Sequence, residues 1–288
     1  MPKQETIGRV HFADYTVSQL ADIRDTPLPR CNEKREDQCD PIPHRKKWRG
    51  GIASWADAEN LLNKGWREGA ERALALKDRI MADAPMLPKV RRNRRRQCWA
   101  AVGESLDVDR AMRGEWDRAW RGSRREQVVG SNKCVTLNVG WGGNSHRSAD
   151  ELFWSGACML VLSDLLTSAG YSVRLNATAK MDPQRDRKEF SILRVTVKDF
   201  NEPLRPDSLA AIVCHAGIFR SFGFWAVCSV PWKVDYGLGQ CLSWRDLEYN
   251  NVLAKVPDWY QENELIVPDS FSESSAIANA TELLQKFA

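Results

Sequence analysis

Histidine is scarce in this sequence: four residues, at positions 11, 44, 146 and 215, standing far apart. None lies in an HExxH or similar ligand pattern, so a zinc enzyme of that type is excluded. The eight cysteines, at 31, 39, 98, 134, 158, 214, 228 and 241, include no CxxC pair. Zinc ribbons and redox dithiols need that spacing, so neither is expected. Cys31 and Cys39 have only His44 nearby and no second pair. Cys134, Cys158, Cys214 and Cys228 fall in apolar runs and read as buried small hydrophobes. No apolar stretch approaches the length of a membrane span. The N-terminus Met-Pro-Lys-Gln-Glu is polar, so no signal peptide is expected and the thiols should be reduced and cytosolic. There is no GxGxxG, and the Gly140-Trp-Gly-Gly-Asn-Ser145 turn lacks the Gly-Lys-Ser/Thr ending of a phosphate loop. Ser145-His146 has no companion acid at a recognisable spacing, and His215 reads as a structural residue at a helix boundary. No catalytic residue, metal or cofactor is predicted, and the chain is not expected to be an enzyme.

Cationic charge, by contrast, is concentrated. From Arg30 to Arg125 there are 24 Lys/Arg against 15 Asp/Glu, while the whole chain carries only +4. Its centre is Lys89-Val-Arg-Arg-Asn-Arg-Arg-Arg-Gln-Cys-Trp99, with six cations and no acid between Lys89 and Arg96. Like charges repel, so such a run costs folding energy unless something anionic offsets it. Arg45-Lys-Lys-Trp-Arg49 and the stretch Trp116 to Arg125 repeat the mixture of cation and indole. Phosphates held by charge and bases held by stacking would use both. The competing reading of the Arg run is a solvated loop. Twelve tryptophans are more than one core is expected to hide.

The apolar pattern gives the elements. Val10 to Ile23 fits a short strand and helix, and 25–51 is a Pro-, Gly- and charge-rich loop. Ser54, with Asp57 three residues on, opens a helix carrying Ala58, Leu61, Leu62, Trp66, Ala70, Ala73, Leu74 and Ile80, stopping before Pro85. The basic run follows in extended or irregular backbone. A helical segment over about 107–121 would place Trp116 and Trp120 on one face. Cys134–Val139 is a strand, Ser148-Ala-Asp-Glu151 a capping box, and Gly170 a helix C-terminal signal. Strands follow at 171–175 and 190–198, so the strand–helix–strand unit can join parallel neighbours. A helix starts at Pro206-Asp207, 217–224 is helix-compatible, 226–230 reads as a strand, and 273–287 is an amphipathic helix. The fold class is α/β, with α+β as the alternative: a mixed sheet with flanking helices and a basic helical N-terminal portion. The expected division is 1–51, strand, helix and charged loop; 52–130, helical and basic; 131–288, an α/β domain.

Ser54-Trp55, Gly65-Trp66, Gly69, Val108-Asp109, Gly114-Glu115, Gly156-Ala157, Ala169-Gly170 and Asp207 through His215 to Arg220 together resemble an uncharacterised family of phages and bacteria, loosely over residues 8–285. The strand–helix–strand half also resembles a von Willebrand factor A-type domain. That family binds metal through an Asp-x-Ser-x-Ser turn, and the turn here has no Asp, so no metal site is carried over. The chain is similar in kind to the single-stranded-DNA-binding cofactors that bring a podovirus RNA polymerase to DNA. That resemblance implies a bacterial host cytoplasm, a phage RNA polymerase as partner and no membrane, with a homo-oligomer left open. In this reading Arg91, Arg92, Arg94, Arg95, Arg96, Arg121, Arg124 and Arg125, with Lys46 and Lys47, neutralise phosphates of a single strand. Trp99, Trp116, Trp120 and Trp48 stack its bases. The alternative is a protein-interaction or virion-assembly module of the von Willebrand type.

Overall fold

The computed structural model describes residues 2–8, 10–26, 41, 45–84, 87–89, 91–129, 133–143, 146–182, 190–232, 236–241 and 264–288. For 91–97, 124–129, 182, 190 and 236–240 the backbone path alone is described. Among these residues the chain forms a seven-stranded mixed sheet, a helical layer and a separate three-stranded sheet. The α/β class expected from the pattern is the one observed.

The large sheet runs β1 (Lys3–Ile7), β2 (Val10–Thr16), β8 (Phe190–Lys198), β7 (Ser172–Asp182), β6 (Cys134–Gly140), β10 (Glu264–Val267), with β9 (Tyr236–Gln240) pairing the end of β7. β6 and β7 are parallel, as the strand–helix–strand pattern predicts, and β2 and β10 are parallel to β8 and β6. Leu137, Val139, Leu175, Ala177, Leu193 and Val195 alternate along these strands and enter the core. The intervening positions carry a buried polar row. Asn176 donates to Asn138 Oδ1 at 3.0 Å and Asn138 donates to Glu264 Oε2 at 3.2 Å, tying β7, β6 and β10 in one register.

The helix joining β6 to β7, α6 (Ala149–Ser168), is apolar nearly all round and has fourteen buried residues. Such a helix must be surrounded. It packs on β6 and β7 and is flanked by α3 (Arg67–Leu74), α7 (Pro206–Cys214) and α9 (Glu273–Gln285). Its ends follow the sequence. Ser148 and Glu151 cap each other's backbone amides, and Gly170 takes a φ of 97° just past the last turn. Gly156 lets α7 approach closely: an added Cβ would stand 2.2 Å from the Val213 carbonyl oxygen.

Several expectations are corrected. The single helix expected from Ser54 is three: α2 (Trp55–Lys64), α3 and α4 (Lys77–Asp83). Gly65, at φ 81°, breaks the first join, where the Asp207 carbonyl accepts from Trp66 N at 2.8 Å. The helix expected over 107–121 shrinks to α5 (Val108–Met112). A 3-10 turn at Trp116–Arg118 follows, and Trp120 opens a strand, so Trp116 and Trp120 share no helical face. The strand expected at 226–230 belongs to a helix, α8 (Ala216–Cys228), in which apolar burial on all sides replaced the alternation of a strand. Cys134, expected buried, is exposed at the start of β6. Cys31 and Cys39 lie outside the described residues.

One core cluster draws residues from Ala13 to Leu284, so it crosses both expected divisions, at 51/52 and 130/131. Among the described residues, nothing between Leu87 and Val135 belongs to it. That stretch forms the small sheet instead. No single described helix is long and apolar enough to cross a membrane; α7 and α8 pass together only as a pair bent by 59°, and both are core elements.

Candidate nucleic-acid interface

The basic run is a strand. β3 (Arg91–Ala100) and β5 (Trp120–Val129) pair antiparallel over ten residues, and β4 (Ser105–Leu106) adds a short third strand against β5. Among the described residues, the outer edge of β3 takes no partner strand within this sheet.

Register brings the two cationic stretches together. Arg95 pairs with Arg125, Arg96 with Arg124 and Trp99 with Arg121, while Arg94 meets Glu126 and Arg92 meets Val128. Arg91 pairs with Val129. Direct cross-strand like charges destabilise a ladder. Two successive rungs oppose arginine to arginine, and by strand alternation they belong to opposite faces of the pair.

At the turn end of the hairpin the side chains are described. Gly103 lets the turn close on β5: a Cβ there would stand 2.7 Å from the Arg121 carbonyl oxygen, which accepts from Glu104 N at 2.8 Å. Asp107 caps α5 by accepting from Arg110 N at 3.2 Å. This turns Arg110 back over the hairpin. Its guanidinium carbon lies 4.0 Å from the centroid of the Trp99 ring, and that of Arg121 lies 4.9 Å from it. Trp99 is 38% exposed and Trp116 60% exposed; Trp120 is half-buried. Arg110 was not among the expected site residues. It contacts Trp99 from a helix eleven residues on, a relation that no local spacing signals.

The Arg45–Arg49 cluster divides. Lys46 and Lys47 are exposed, but Arg49 is fully buried and donates to the Arg220 carbonyl and to Ser221 Oγ, the latter at 2.8 Å. Arg220, also buried, donates to the Trp48 carbonyl and to the Arg147 carbonyl, and its guanidinium sits 4.1 Å from the Trp48 ring centroid. Burial, with Arg49 beside it, pulls the Arg220 pKa down to about 10. These arginines fasten the 45–51 turn to α8. Trp48 packs against the core beneath them, so it is not presented for a base.

His215 is structural, as its place suggests. Its Nδ1 accepts from Gly217 N at 3.2 Å, capping α8, and its ring meets Trp66 edge-on at 4.7 Å. Burial lowers its pKa to about 4, although a hydrogen bond with the Gly50 backbone acts the other way. Burial pushes the Cys158 thiol up to about 12 and the Cys214 thiol higher still, which disfavours the thiolate in both. Among the described residues no three His, Cys, Asp or Glu side chains are grouped to hold a metal. Asn144 and Ser145 of the glycine-rich turn lie outside the described residues.

The family described as Domain of unknown function (DUF7192) matches residues 9–288, nearly the whole length. The chain belongs to this family. No curated protein and no solved structure matches the chain. The matched span includes residues 91–129 of the arm as well as the core.

Proposed function

We propose that this DUF7192 member is a non-enzymatic single-stranded nucleic-acid-binding protein of phage type. It acts as a cofactor in transcription or replication, in the cytoplasm of a bacterial host, with a phage RNA polymerase as its protein partner. The observation that carries the reading is the register of β3 on β5, which opposes Arg95 to Arg125 and Arg96 to Arg124. A polyanion lying along the arm offsets that repulsion, and each phosphate bound releases condensed counterions. Trp116, exposed beside the arm, offers a ring for an unstacked base, and every base has a face, so sequence preference is low.

A second reading, a protein-interaction or virion-assembly module, has its own observation. Among the described residues, six of the seven exposed large hydrophobics are Trp99, Val102, Leu106, Val108, Met112 and Trp116, all at the turn end of the arm. A concentration of this kind marks contact surfaces.

Binding of a labelled oligonucleotide and of its matching duplex, at equal salt, separates the two readings. Exposed indoles need bases free of a duplex stack. The expected result is tighter binding to the single strand. The slope of log affinity against log salt should flatten by up to roughly two units when Arg94, Arg95 and Arg96 are changed to Ala, at about 0.7 per lost contact. Absence of salt-dependent binding to either ligand would overturn the nucleic-acid reading and leave the protein-contact one.

A further inference from the structure

Trp99 was expected to stack a base, yet its ring already carries two guanidinium groups. Arg110 comes from α5 and Arg121 from β5, at 4.0 Å and 4.9 Å from the ring centroid, so three elements converge on one indole. A guanidinium resting on a π face is held by the ring quadrupole while its N–H donors, which lie in its own plane, stay available. Three nearby acids are engaged elsewhere. Glu104 accepts from Ser123 at 3.0 Å, Glu115 pairs with Arg113 at 3.1 Å, and Asp117 lies 3.8 Å from Arg118. Asp107 approaches Arg110 only to 4.0 Å and spends its other oxygen on the α5 cap. Among the described residues Arg121 makes no ion pair, and it is exposed.

We infer that Arg110 and Arg121, seated on Trp99, form a two-pronged clamp for the phosphodiester backbone, and that Trp99 is a positioning residue, not a base platform. The inference rests on the nucleic-acid reading and refines it. Two arginines pre-set on one ring lose less rotamer freedom when they bind than two free surface arginines would. Planar guanidinium donors suit the paired oxygens of a phosphate. The clamp sits at the turn end of β3 and β5; counting by twos from the Trp99–Arg121 rung, the Arg95–Arg125 rung falls on the same face of the strand pair and the Arg96–Arg124 rung on the other.

The test uses the full chain, a fluorescent oligothymidylate and salt titrations of the parent, Arg110→Ala, Arg110→Lys, Trp99→Leu and Trp99→Phe. Arg110→Ala should flatten the salt slope by about 0.7, the loss of one phosphate contact. Arg110→Lys keeps the charge but not the planar fork, so it should hold the slope and bind several-fold more weakly. Trp99→Leu should flatten the slope as well, because both guanidiniums lose their seat, and Trp99→Phe should restore most of it. Amide exchange of residues 98–123 checks that each variant keeps the hairpin; Trp99→Phe and Arg110→Lys serve if Trp99→Leu does not. If the parent binds and Trp99→Leu weakens binding at the parent slope, the indole stacks a base and the clamp is wrong. If Arg110→Ala keeps both slope and affinity, the clamp is equally wrong, and the nucleic-acid reading stands. Displacement by polyglutamate as readily as by unlabelled oligothymidylate would make the ligand an acidic peptide and overturn the phosphodiester assignment. A parent that binds no oligothymidylate at any salt removes the nucleic-acid reading, and the clamp with it.

Discussion

His215 shows how a single buried side chain links local geometry to pH. With Nδ1 accepting from Gly217 N, the ring must be neutral for the cap to hold. Burial lowers its pKa from 6.5 to about 4, so the unfolded chain takes up the proton more readily than the folded one between those values. The stability it contributes is complete above about pH 6.5 and is lost as pH falls towards about 4. The expected outcome is a melting temperature that drops across this window in the parent. It should drop less in His215→Asn, whose amide oxygen can cap the helix without titrating. Parallel pH profiles for parent and variant would show that His215 does not titrate in this way. Arg49 and Arg220 make the same point for charge. From sequence they resemble the arginines of the run, but both are enclosed and donate to backbone carbonyls, which fixes a turn and leaves no phosphate contact to either.

At the scale of the element, the register of the arginine arm sets arginine opposite arginine on two rungs. Cross-strand pairs contribute about 0.2–1 kcal/mol each, and like charges reverse the sign. Arg125→Glu would set an acid opposite Arg95. Amide exchange within 91–129 should slow, and the salt slope of oligonucleotide binding should flatten by about 0.7. Faster exchange would show that repulsion across this rung is not what limits the arm. The long β3 edge has a second consequence. Two such edges brought together antiparallel would face arginine with arginine, so the run also guards against edge-to-edge association. The sheet of the main fold works oppositely: its Asn138, Asn176 and Glu264 row is buried and mutually bonded, and it fixes register through hydrogen bonds.

For the molecule as a whole, the core and the arm are separate contributions. Among the described residues, the core cluster contains nothing between Leu87 and Val135. Replacing residues 90–131 by a flexible Gly/Ser linker should leave a cooperatively folded remainder with near-parent thermal stability, and should abolish salt-dependent oligonucleotide binding. Retained binding would move the site to the body, where Lys46 and Lys47 are exposed. A remainder that fails to fold would show that the arm supports the core.

The sequence by itself determined the class of the fold and the ends of its main helix. Capping residues at 54, 148 and 170 act through neighbouring backbone groups, and alternating or all-round apolarity reports burial directly. It also determined where the positive charge lies, because charge is composition. The tertiary structure decided the rest. Whether a cation is solvated, paired across a strand or enclosed depends on partners far along the chain, as for Arg96 opposite Arg124 in the ladder and Arg49 beneath Arg220. The helix expected over 107–121 failed for the same reason. Its helical periodicity is a local signal, and pairing of Trp120 to Val129 with Arg91 to Ala100 is not. Among the tryptophans, Trp48 is half-buried under arginine, Trp99 holds two arginines and Trp116 faces solvent, a distinction set by what packs above each ring and invisible in residue type.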